Sequence, residues 1–124
     1  MLANTLDEYI EITSRPNSGI PKTPGEVAVW VKHDPIFRKL SDAQVEKFVQ
    51  SIHYHAEDSG IADMFYGDIK NALTEAEFEG FLGKLGISKA FFSVIRDSYC
   101  DGGQNCYSMP DTFCAYLSGM GCPR

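Results

Sequence analysis

Ninety-nine residues pass before the first cysteine of this 124-residue chain. Several other features are missing, and each absence excludes a class of function. No stretch reaches the roughly eighteen consecutive apolar residues of a membrane-spanning helix, so integral membrane insertion is not expected. Positive charge is scarce: eleven Lys and Arg stand against seventeen Asp and Glu, a formal charge of −6 with a pI near 4.9. That balance argues against a protein that tracks nucleic-acid phosphates or adsorbs to anionic membranes. There is no Walker loop, Gly-rich dinucleotide turn, G-x-S-x-G elbow or Cys-x-x-Cys pair. The opening Met1 to Glu8 lacks the basic and apolar regions of a signal peptide.

What is present is enough for one compact domain. The hydrophobic fraction is 44%, with eight Phe, six Tyr and one Trp as bulky core material. At this size a chain buries a real core without relying on cross-links. The body is punctuated by helix-start signals. Thr5, followed by Asp7 and Glu8, opens a short amphipathic segment that Pro16 closes. Thr23-Pro-Gly-Glu26 reads as a capping box with Pro at the first helical position. Asp34-Pro35 starts a further one or two turns through Leu40. Ser41-Asp-Ala-Gln44 is a second box, and Val45, Phe48, Val49 and Ile52 behind it predict a helix running to about Ala56. Ile61 to Leu73 reads as another helix, kinked near Gly67. Thr74-Glu-Ala-Glu77 is a third box, with Gly86 as the stop. Ser88 caps a last body helix through Tyr99. Period-two alternation is missing, so the expected class is all-α, a single domain of five to seven short helices over residues 1–99. Residues 100–124 form a Cys-rich extension packed on that body, with a tight loop after Cys100 and a short helix from Ser108 to Leu117.

Cys100, Cys106, Cys114 and Cys122 are separated by gaps that fit neither zinc knuckles nor a thioredoxin-type pair. Two disulfides stapling the extension are therefore the expectation, with three pairings open. The cysteines tip localisation toward an extracytoplasmic mature form, whereas the missing signal peptide favours the cytosol.

Candidate chemistry is thin. His53 and His55, followed by Glu57 and Asp58, make the one histidine–carboxylate cluster. On a helix His53 and Glu57 share a face and His55 does not, so a metal would need Asp63 or Asp68 from the next segment. The plainer reading is a solvated helix end with no metal or other cofactor. Adjacent aromatics, Phe65-Tyr66 and Phe91-Phe92, cannot all face one core. Tyr66 and Phe92 are the candidates for a second surface, against either the extension or a partner. No catalytic residue is identified. The first-ranked function is a small acidic non-enzymatic protein that binds another protein, one with a basic surface, as inhibitor, immunity protein or accessory subunit. A metal-binding or redox protein using the C-terminal cysteines with His53 or His55 ranks second. A precursor peptide with a helical leader and Cys-rich core ranks third.

Overall fold

The structure, a computed structural model, describes residues 2–15, 18–54, 61–101 and 105–114, with 6, 10, 62, 98–101 and 105–109 described by backbone alone. Most of the helices begin where a capping side chain is available. Thr5 accepts from the Glu8 N–H and opens α1 (Leu6–Ser14). Thr23 does the same for Glu26 at α2 (Pro24–His33). Here the Glu26 carboxylate reaches back past the cap to the Lys22 N–H, at 2.8 Å, so the box is not reciprocal. Asp34 caps a 3-10 turn, Pro35–Lys39. Ser41 and Thr74 form complete capping boxes at α3 (Asp42–Ser51) and α5 (Glu75–Lys84). Ser88 caps α6 (Lys89–Ile95). Gly86 stops α5 at φ +76°, and the Ile87 and Gly86 N–H groups close back on the Leu82 and Gly83 carbonyls. This paired closure uses the left-handed conformation glycine adopts without strain.

The all-α expectation is overturned by a four-stranded antiparallel sheet of order β1-β2-β4-β3. Its strands are β1 (His53–Tyr54), β2 (Ile61–Phe65), β3 (Arg96–Asp101) and β4 (Asn105–Cys114). Three expected helical stretches become strand. The helix expected to reach Ala56 ends at Ser51, whose hydroxyl turns back to the Phe48 carbonyl and accepts the Phe65 N–H from β2. Ile61 to Leu73 divides into β2 and a short α4 (Gly67–Ala72). The last body helix stops at Ile95, and Arg96 enters β3. Short apolar runs such as Ile61–Phe65 carry too little periodicity to separate helix from strand, so a distant pairing partner decides.

The extension is also corrected. In place of a helical cap, residues 105–114 form β4, which lies between β2 and β3 in the sheet. Hydrogen-bonded pairing joins this segment to the body on both edges of β4. Cys100 and Cys106 face each other in the β3–β4 register. Cys114 is buried and is not a free thiol. Cys122 lies outside the described residues.

A run of touching rings ties helices to sheet. Trp30 stacks on Phe81 at 5.5 Å, and Phe81 on Phe78 at 5.7 Å. Phe78 meets Tyr66 at 5.8 Å, and Tyr66 stacks over Phe113 of β4 at 6.3 Å. Phe37 and Phe48 close around Trp30. Offset and edge contacts of this kind add to the area each ring buries. At the other end of the chain Ala3 bridges to Ile87, with Ala3 N–H to Gly86 O at 2.8 Å and Ser88 N–H to Ala3 O at 3.0 Å.

Candidate functional site

The sheet brings His53 to Asp63. The two are cross-strand partners in β1 and β2, and the His53 Nδ1 lies in hydrogen-bonding contact with the Asp63 Oδ1. A carboxylate oxygen accepts, so the imidazole donates from Nδ1 and Nε2 is left as the ring's other nitrogen. The burial is sharply asymmetric: the His53 side chain is 73% exposed and that of Asp63 only 6%. The same row continues into β4, where Asp63 is the register partner of Cys114. Imidazole, carboxylate and sulfur thus occupy successive positions across three strands. Because Cys114 is not free, the row holds no thiolate nucleophile of the Cys–His kind.

Sequence reasoning reached His53 and named Asp63 as a possible companion, but placed both on helices. The strand geometry changes the partner rule from residues four apart to residues opposite each other in register. His55 and Glu57, the other two metal candidates, lie outside the described residues. Among the described residues no three His, Cys, Asp or Glu side chains come together as a metal group.

The partner-facing candidates resolve differently. Tyr66 is 1% exposed and lies inside the ring stack, so it offers no surface to another molecule. Burial is the main reason its phenol resists ionisation, and the neighbouring Asp97 and Asp111 carboxylates add to that resistance. Phe92 is half-buried against Tyr66 at 5.1 Å and Phe78 at 5.5 Å. Phe91 turns the other way, onto Tyr9 at 5.5 Å. The adjacent aromatics divide between two sides of the core, with Phe65 half-buried beneath the Lys47 ammonium.

Sequence reasoning missed the surface groove of about 840 Å³ beside α2. Its apolar wall comes from Ile20 and Pro21 of the connector and from Val29 and Trp30 of α2, with Lys22 and Lys84 at its margin. Val29 is 60% exposed, a large apolar side chain left in water. The Lys22 ammonium is committed to the carbonyls of Thr13 in α1, at 2.7 Å, and of Arg15 just after it, at 3.1 Å, which fixes the connector as one wall. The signal available in the sequence was Val29 itself, which breaks the helical spacing of Val27 and Trp30.

No helix among the described residues is long and apolar enough to cross a membrane. Comparison with known proteins finds no family model, no curated relative and no solved structure that matches this chain.

Proposed function

We propose that this protein acts by binding another protein, as an inhibitor, immunity protein or accessory subunit. The observation that carries the reading is the groove beside α2, where a solvated Val29 adjoins the apolar faces of Ile20, Pro21 and the Trp30 edge. Such a surface has the make-up of an interface centre, an aromatic and aliphatic patch with a polar margin. The occupant is a folded partner that inserts an apolar side chain between the connector and α2. Its surrounding surface is basic, because the chain carries a formal charge of −6 and Glu26 lines the groove. Opposite charge of this kind speeds encounter and suppresses wrong partners.

The test uses the wild-type protein and its Val29→Glu variant as parallel baits on extract of the native source. A protein retained by the first and lost by the second is then purified and titrated against both. Support is saturable binding that weakens about tenfold or more in the variant and weakens further with added salt. Equal affinity of both baits for every purified partner overturns the reading.

A further inference from the structure

We infer that His53 is a nucleophilic acyl-acceptor site, with Nε2 as the reacting atom and buried Asp63 as its positioning residue. The site is separate from the groove and does not rest on the binding proposal. Three features carry it. The Asp63 carboxylate holds the Nδ1 hydrogen, which fixes the ring in the tautomer whose lone pair is on Nε2. Asp63 is 4% exposed, so its orienting contact is shielded from competing water. The His53 ring is largely exposed, and Nε2 has no hydrogen-bond partner among the described residues. A histidine that served only to clasp two strands gains nothing from leaving its second nitrogen accessible. His33, exposed in the last turn of α2, has no carboxylate partner among the described residues and provides an internal comparison.

The ligand class is an activated acyl ester. Nε2 attacks the carbonyl carbon, and the new N–C bond forms as the ester C–O bond breaks. The alkoxide or phenolate leaves with the electron pair. The Nδ1 proton passes to Asp63, so the acyl-imidazole is neutral. Water then adds to the acyl carbon, Nε2 departs with its electron pair, and Nδ1 recovers its proton from Asp63. The sum is hydrolysis of one ester, with no oxidant, reductant or metal required.

The experiment mixes excess intact protein with p-nitrophenyl acetate, follows p-nitrophenolate release, and maps the acetyl group by peptide mass spectrometry. The expected result is acetylation at His53 in preference to His33. The fast phase should fall about tenfold or more in His53→Gln. Asp63→Asn should slow acylation while its circular dichroism stays that of the wild type, and Asp63→Glu should recover part of the rate. An unchanged rate in His53→Gln, or equal labelling of His33 and His53, overturns the proposal. Where Asp63→Asn does not fold, the wild-type labelling map decides.

Discussion

The Asp97 carboxylate accepts the backbone N–H of Asp111 at 3.0 Å, and both residues hold positive φ, 56° and 59°. Around this contact the β3–β4 register passes from Arg96 opposite Phe113 to Ser98 opposite Ser108. One residue of β3 therefore stands against four of β4, and Pro110, which has no N–H to give a ladder, sits in the looped-out part. The Asp111 carbonyl in turn accepts the Tyr66 N–H at 2.8 Å, so the irregularity fastens the end of β2 as well. Asp97→Ala should cost about 1–2 kcal/mol, because it removes the charged acceptor of the Asp111 N–H and leaves alanine at a left-handed position. Asp111→Gly keeps both backbone bonds and relieves its own conformation, so it should change stability by less than about 1 kcal/mol. Urea unfolding of the two variants checks the contrast.

Gly67 marks the turn from β2 into α4, and its missing side chain is a steric requirement. A Cβ there would stand 2.7 Å from Phe65 Cζ and 3.0 Å from Asp111 Cβ. The ring can move, but the Asp111 backbone is held by its N–H to Asp97 and its carbonyl to the Tyr66 N–H. Gly67→Ala is expected to destabilise by about 1–3 kcal/mol. Gly80→Ala is the control, since nothing lies within 4 Å of a Cβ at that exposed helical position; it should be neutral or stabilising by up to about 1 kcal/mol. Paired thermal melts distinguish them.

The capping boxes offer a graded series. Ser41→Ala and Thr74→Ala each remove the side-chain acceptor from a reciprocal pair, at 3.1 Å and 3.2 Å respectively. Each should lower stability by about 1 kcal/mol. At Thr23 the Glu26 carboxylate serves the Lys22 N–H instead. Glu26→Ala should therefore affect the connector, read as hydrogen exchange at the Lys22 amide, with little effect on helix α2.

Alkaline pH should unfold the protein through its buried phenols. Burial raises the titration of Tyr9 well above the ordinary tyrosine range, and burial with nearby Asp97 and Asp111 does the same for Tyr66. The stability associated with each phenol is intact below the ordinary range and falls as pH rises through it toward the folded values. Phenolate absorbance should show these two tyrosines ionising only in step with loss of ellipticity. In Tyr9→Phe the alkaline midpoint should move upward.

Much of the helical part was legible because its signals are local. Thr5, Thr23, Asp34, Ser41, Thr74 and Ser88 each cap the element expected of them, and Gly86 ends α5 as its sequence suggests. The sheet was not legible, because each strand is decided by a segment far along the chain. Ile61–Phe65 looks like one face of a helix until Thr112, Phe113 and Cys114 lie beside it. The same non-locality explains the site: His53 was conspicuous, but its buried companion became identifiable only when His53 and Asp63 fell opposite each other. Tyr66 was judged a surface candidate because its neighbour Phe65 seemed to need the same core, whereas the strand end sends the two to different surroundings.

The strand order has a consequence for how the protein comes into being. β4 is the last strand among the described residues, yet it occupies an inner position beside β2. A ribosome delivers α1 to α6 and the first three strands while the inner slot stands vacant, with the Tyr66 face awaiting Phe113. Until that strand arrives, the nascent chain carries an unpaired β2 edge and an open aromatic surface. The interval between synthesis of residue 65 and residue 114 is thus the window in which aggregation competes with folding, and a chain terminated before β4 would remain in it.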